Sequence, residues 1–371
     1  QNVKDLYTFV CRNYELGDQI YGFGFSRGAF TIRLLMGMIS RCGILKTISE
    51  AQLVYCVQMA YEAYRRDYLI RASRRRYTLY HRILREPRYD IAAGRKMSTV
   101  NLDINDCQQQ FPDIRFVGVW DTVDAYGMPV DELKMAIDKW VWPMSFADRD
   151  PSNKLLTVRH ALSLDDARPT FRPVLWNEVV KDNPDDREAH VLDPNTIRQV
   201  WFAGVHANVG GGYPDDGLAY TALKWMMDEA HVVGLRYDGL ISKEIAAHVN
   251  PGGEQYDSRA GIAGYYRYGP RQVSALSNDE DHGVRVPTVH VHPAAYARIF
   301  AWRRDYEPVS LDCDFSVDGV PKAGAGAKAM DDAWDLVWWR RIAYFVTLSL
   351  TAFVGLFVLL LVSNWPKPIF V

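Results

Sequence analysis

The sequence predicts an α/β fold, a mostly parallel sheet flanked by helices, with a C-terminal transmembrane helix beyond it. Three observations carry this reading. Short apolar runs of strand length, at 19–25, 114–120 and 199–205, are separated by longer stretches with helical patterning. The first run passes through a glycine-flanked serine directly into an apolar helix. Near the end of the chain lies an uncharged segment long enough for a hydrocarbon core of about 30 Å.

In chain order, residues 3–12 carry an apolar stripe of Leu6, Phe9 and Val10 and predict a helix, broken at Gly17-Asp18. The run 19–25 suits a buried parallel strand. Residues 29–39 predict a helix that ends near Gly43. Residues 51–88 are helical in pattern and densely basic, with Arg65, Arg66, Arg71, Arg74, Arg75, Arg76, Arg82 and Arg85 among tyrosines. Such a run is either a solvated helix face or a surface for anionic lipid headgroups, where each basic residue contributes about 1 kcal/mol. The strand 114–120 ends at Asp121, and the strand 199–205 ends at His206. Between them, 128–149 is expected to form a lid or cap and 155–164 a helix. Residues 218–233 predict a helix with Leu223, Met226, Met227 and Ala230 on one side, followed by a turn over 234–239. Residues 250–281 read as long loops, and 321–329 as a flexible linker.

The segment 342–362 contains no charge. Trp338, Trp339 and Trp365 stand where an aromatic belt would lie, and Arg340 and Arg341 precede the span while Lys367 alone follows it. This bias places the N-terminal domain on the cytoplasmic side. The expected boundaries are a catalytic domain over 1–320, a linker over 321–340 and a membrane helix over 341–363. The chain opens on Gln1 with a helix where an α/β sheet would begin with strands, and it stops on an apolar run. It reads as an internal piece of a longer protein whose first strands are missing.

Composition narrows the function. Lys+Arg 43 against Asp+Glu 45 leaves a formal charge of -2, so no global basic field exists to hold nucleic acid. Cys11, Cys42, Cys56, Cys107 and Cys313 form no CxxC pair and are expected to be reduced thiols. His290 and His292 alternate on one strand face, but no further ligand cluster accompanies them, so no metal is expected. No organic cofactor is expected either. Gly210-Gly211-Gly212 lacks the Lys and Ser/Thr of a phosphate loop and reads as a turn that lets a histidine loop approach the serine.

Gly24-Phe25-Ser26-Arg27-Gly28 fits G-x-S-x-G between a strand and a helix. In that setting Ser26 sits on a strained elbow of the α/β-hydrolase kind, where Gly24 and Gly28 spare it neighbouring side chains. The helix that follows points backbone N–H groups, that of Arg27 first, at a developing oxyanion. A serine hydroxyl needs a base and an orienting acid. The order serine, acid, histidine is met by Ser26, Asp121 and His206, each at a strand end, where parallel sheets deliver functional residues. Asp124, Asp165, Asp166 and Asp215 are alternative acids, and His160 is an alternative histidine whose ordinary role is packing or hydrogen bonding.

The segments GDQIYGFGFSRGAFTIRLL, FVGVWDTVDAYGMP, RHALSLDDARPTFRPVLW and QVWFAGVHANVGGGYPDDGLAYTALKWMMDEA together resemble an uncharacterised α/β-hydrolase family that includes the type VI secretion phospholipase effectors of the first lipase class. VHPAAYARIFAWRRDYEPVSL resembles its C-terminal region. The resemblance implies a GFSRG elbow and a triad on Ser26, Asp121 and His206. It also implies a bacterial protein that cleaves phospholipid acyl esters at a membrane, with secretion-system components as possible partners. A serine hydrolase acting on soluble esters is a further alternative. The stretch 128–144 is a candidate acyl-binding cap.

Two departures from the family stand out. The family reads His-Ser-Asp-Val where this chain has His206-Ala207-Asn208-Val209, so a carboxylate beside the histidine is replaced by an amide. Its Asp-Gly-Thr segment, a source of a second oxyanion donor worth about 3 kcal/mol, is absent. The expectation is a weakly active or inactive chain. The rival is a membrane-tethered binding or toxin module that kept the fold without efficient turnover.

Overall fold

The computed structural model describes residues 2–46, 49–73, 108–123, 149–180, 189–261, 268–280, 282–299, 306, 308–318, 320–323, 339 and 342–358. The lid expected over 128–149 falls almost wholly outside them, as do Asp124, Cys107 and the basic stretch beyond residue 73.

The elements run α1 (Asn2–Asn13), β1 (Ile20–Phe25), α2 (Arg27–Cys42), β2 (Ile44–Lys46), α3 (Glu50–Ser73), β3 (Gln108–Gln110), β4 (Ile114–Trp120), β5 (Val158–Ser163), β6 (Val179–Val180), β7 (His190–Val191) and β8 (Ile197–Phe202). They continue with α4 (His206–Gly210), α5 (Gly217–Val232), α6 (Gly239–His248), α7 (Val273–Ser277), β9 (Asn278–Asp279), β10 (Val284–Arg285), β11 (His290–Val291), α8 (Pro293–Ala297), β12 (Phe315–Val317) and β13 (Val320–Ala323). Among the described residues, seven strands form one sheet in the order β1-β4-β5-β8-β11-β12-β13. All neighbours in it pair parallel except β12 and β13. The predicted mostly parallel α/β architecture is therefore present.

Alternation along the strands splits the core into two layers. Val117 and Val119 of β4 face one side, with Val158, and pack with Tyr7 and Cys11 of α1, Leu35, Met36 and Ile39 of α2, and Cys56 and Ala60 of α3. Phe116 faces the other side, where Ala161, Val200 and Phe202 meet Ala222, Met226 and Ala230 of α5. Burying a side chain of this size contributes about 1.5–3 kcal/mol, so the two layers clamp β4 and β5 from both sides.

Two expectations are corrected. The stretch 155–164 is not a helix: Val158–Ser163 is the strand β5, every residue of it buried between β4 and β8. A strand covered on both faces shows no alternation, so a short apolar run there does not reveal its period. The linker expected from residue 321 overlaps a strand, because Val320–Ala323 pairs with β12 as the antiparallel edge strand. Cys11 and Cys56 are buried free thiols, Cys42 is buried with its Sγ against the Ala60 carbonyl, and Cys313 is partly buried. Burial pushes the Cys11 thiol up to about 11, which keeps it protonated and inert.

Residues 342–358 form a helix whose apolar side chains, among them Phe345, Leu350, Phe353 and Leu356, are exposed. Among the described residues no helix is long and apolar enough to cross a membrane. The rest of the segment expected to span it lies outside those residues.

Candidate active site

The site assembles where the carboxyl ends of β1, β4, β5 and β8 meet the loops that follow them. β1 pairs with β4 up to Phe25 and Trp120, and the Ser26 N–H then donates to the Trp120 carbonyl at 3.0 Å. α2 starts one residue later. The chain makes that turn at Ser26 with φ 58° and ψ -124°. Among the described residues only two non-glycine residues have positive φ, Ser26 and Asp121 at φ 39°. Strain of about 1–3 kcal/mol per residue is held only where surrounding contacts over-determine it, typically at functional sites.

Gly24 makes the elbow possible. A Cβ there would stand 2.7 Å from the Gly28 carbonyl oxygen and 2.8 Å from Ala29 backbone atoms, so any side chain would push α2 off β1. Gly28 has no such duty, since a Cβ on it would meet open space. The steric demand expected of both glycines thus falls on Gly24 alone.

The Ser26 hydroxyl donates to His206 Nε2 at 2.8 Å, and His206 Nδ1 donates to Asp121 Oδ2 at 2.5 Å. Ser26 is partly exposed, His206 is buried, and Asp121 is fully buried. The three strand-end residues singled out in the sequence are therefore in one hydrogen-bonded chain. The imidazole lies between two aromatic rings, Phe25 with its centroid 4.6 Å away and Phe171 at 5.0 Å in an edge-on contact.

Asp121 is held from every side. Ser163 donates to it through its N–H at 3.1 Å and its hydroxyl at 3.2 Å. Arg271 grips both carboxylate oxygens, at 2.6 Å and 2.7 Å. Burial alone would raise the Asp121 carboxyl, but the Arg271 charge and the His206 hydrogen bond outweigh it and hold the group far below the ordinary carboxylate range.

The neighbouring acids hold the histidine loop rather than the ring. Asp165 Oδ2 accepts from the Gly204 N–H at 2.6 Å and the Tyr306 hydroxyl at 2.7 Å. Asp166 accepts from the His206 N–H at 3.2 Å and pairs with Arg168 at 2.7 Å. Gly204, with φ 104°, turns the chain between these two anchors; a Cβ on it would stand 2.5 Å from the Asn208 Cβ. Asp215 accepts from the Gly217 N–H in its own turn.

His160 lies beneath the site. Its Nε2 accepts from the Thr122 N–H and its Nδ1 faces Gln199, and burial followed by the Arg33 charge lowers it to about 3, so it stays neutral. His292 caps α8 and stacks on Phe202. Among the described residues no group of three or more side chains is placed to hold a metal.

Asn208 is buried, with its Oδ1 accepting from the Val205 and Tyr256 N–H groups and its Nδ2 donating to the Glu254 carbonyl. The last bond needs an amide. A carboxylate at this position would face that carbonyl with no proton to offer.

The catalytic-domain model of the type VI secretion phospholipase effector Tle1-like family matches residues 1–229. The chain belongs to this family. An uncharacterized protein of Saccharomyces cerevisiae, YEL023C, is 32% identical over 179 residues, 48% of this chain and 21% of that protein. The chain thus spans about a fifth of the length of that curated relative. A crystal structure of an uncharacterized protein from Pseudomonas aeruginosa aligns over 71% of this chain and 31% of its own at 19% identity, with a TM-score of 0.31. The Tle1-like match takes in Ser26, Asp121 and His206 and stops before Arg271 and Tyr306. Those two residues lie in or beyond the region read as loops, and no spacing in the sequence marks them. Their role emerges only from contacts with partners more than a hundred residues upstream.

Proposed function

We propose that this chain is a serine hydrolase of the α/β-hydrolase class that cleaves the carboxylic esters of phospholipids. One observation carries the reading: the relay from Ser26 Oγ to His206 Nε2 at 2.8 Å and from Nδ1 to Asp121 at 2.5 Å. Membership of a phospholipase effector family supplies the substrate class.

In this reading His206 takes the Ser26 proton as Oγ attacks the ester carbonyl, and the carbonyl oxygen becomes an oxyanion. The free amides at the start of α2, Arg27 first, face it. Collapse of the adduct expels the alcohol, which leaves with the proton from Nε2, and Ser26 is left acylated. Water then attacks, His206 takes its proton, and return of that proton to Ser26 releases the fatty acid. Asp121 stays ionised throughout and orients the imidazole. No step calls for a metal or an organic cofactor.

The exposed apolar helix over 342–358 supports attachment to a membrane, since a helix apolar on all sides is stable only when covered. Arg340 and Arg341 before it favour a cytoplasmic catalytic domain. Assembly with secretion-system components follows from the family alone.

The test is labelling of the full chain with a fluorophosphonate probe, followed by release of fatty acid from phospholipid vesicles, each beside Ser26→Ala. Labelling and hydrolysis that both vanish in the variant are expected. A folded wild-type chain that takes up no probe would instead favour a membrane-tethered binding module. Equal turnover of monomeric and vesicle-borne esters would favour a soluble-ester hydrolase.

A further inference from the structure

The guanidinium of Arg271 is fully engaged at its two terminal nitrogens. Nη1 shares its two N–H groups among Asp121 Oδ1, the Ser163 carbonyl and the Ser163 hydroxyl, each at 2.6 Å. Nη2 donates to Asp121 Oδ2 and the Phe171 carbonyl, each at 2.7 Å. The side chain is buried, as is the carboxylate it grips. It therefore ties together the acid, the end of β5 and the loop carrying Phe171, whose ring lies edge-on to His206.

We propose that Arg271 is a positioning residue of the triad: its fork fixes the Asp121 carboxylate against His206 Nδ1, and its charge balances that carboxylate, extending activity to lower pH. The proposal rests on the serine hydrolase reading above.

Geometry argues for the first half. A planar fork matches both carboxylate oxygens at once, and its orientation leaves Oδ2 facing the imidazole. Lysine, a single point of charge, cannot hold both oxygens and the Phe171 carbonyl in one arrangement. Charge argues for the second half. An unbalanced buried carboxylate favours a protonated imidazole beside it, and a protonated base cannot accept the Ser26 proton. With Arg271 in place the carboxylate's charge is offset before the reaction starts.

The other charged or titratable groups around His206 do not serve this purpose. Asp166 pairs with Arg168, while Asp165 is bonded to Tyr306 and the Gly204 N–H and lies near Arg298. His160, below Asp121, is neutral. Of the cations among the described residues, Arg271 is the one in contact with Asp121.

The experiment measures fluorophosphonate labelling rate against pH for the full chain, with Arg271→Gln and Arg271→Lys, alongside kcat and KM on a short soluble ester. Arg271→Gln is expected to move the acid limb up by about one pH unit or more, as loss of a neighbouring charge does. Arg271→Lys is expected to leave the acid limb in place and lower kcat by about tenfold or more at unchanged KM, as a misplaced triad does. A folded Arg271→Gln chain with the wild-type acid limb overturns the charge role. Should Arg271→Gln not fold, Arg271→Lys decides: wild-type kcat overturns the proposal, and loss of kcat alone supports it. Labelling of the wild type that survives Ser26→Ala would overturn the hydrolase reading itself. Labelling lost in Ser26→Ala but unaltered in both Arg271 variants overturns only the Arg271 proposal.

Discussion

The Asp166 carboxylate accepts the backbone N–H of His206 at 3.2 Å while also holding the Arg168 guanidinium. An acid outside the proton relay therefore fixes where the base stands. Asp166→Asn keeps one acceptor oxygen but cannot serve His206, the Arg168 backbone N–H and the two Arg168 guanidinium bonds together. We expect kcat on a short soluble ester to fall by about tenfold to a hundredfold with KM little changed, because loss of alignment acts on the chemical step. Steady-state kinetics of the two proteins check this.

The strained backbone at Ser26 separates activity from stability. Ser26→Gly removes the nucleophile, and glycine accepts φ 58° without strain. The variant is expected to be inactive yet more stable by about 1 kcal/mol, offset in part by the greater freedom of glycine in the unfolded chain. Urea unfolding of wild type, Ser26→Gly and Ser26→Ala measures it; a less stable glycine variant would contradict strain at the elbow.

The two glycines of the elbow should respond differently. Gly24→Ala drives a methyl into the backbone of Gly28 and Ala29 and is expected to lose about 1–3 kcal/mol, as overpacking does. Gly28→Ala has open space and should stay within about 0.5 kcal/mol of wild type. Paired thermal melts distinguish them, and equal losses would refute the steric assignment.

Glu178 gives the fold a pH dependence of its own. It is buried beside Gln199, and burial raises its carboxyl from 4.5 to about 7, against the lowering effect of the Gln199 hydrogen bond. The folded state keeps this proton while the unfolded chain releases it. Stability therefore falls as pH rises from 4.5 to about 7 and levels off above. The total is expected to be about 3 kcal/mol. Glu178→Gln should remove this slope, which denaturant midpoints across that pH range would reveal.

The strand ends bearing Ser26, Asp121 and His206 were legible because apolar runs of strand length each stop at a polar residue, and a parallel sheet brings such ends to one edge. The family resemblance pointed to the same three residues. β5 was not legible, since Val158–Ser163 is covered on both faces and carries Arg159 and His160 within it. Arg159 pairs with Glu229 of α5 and His160 serves the Thr122 N–H; neither partner is near in sequence. α6 went unread although Asp238 caps it by accepting the Leu240 N–H at 2.8 Å, because the preceding glycine-rich turn masked the start signal. Arg271 lay within a stretch poor in periodic signal, and its partner Asp121 stands 150 residues earlier.

Phe25 immediately precedes Ser26 in the chain, and its ring rests against the His206 imidazole. The strand end that carries the nucleophile therefore also supplies one of the surfaces against which the base is set.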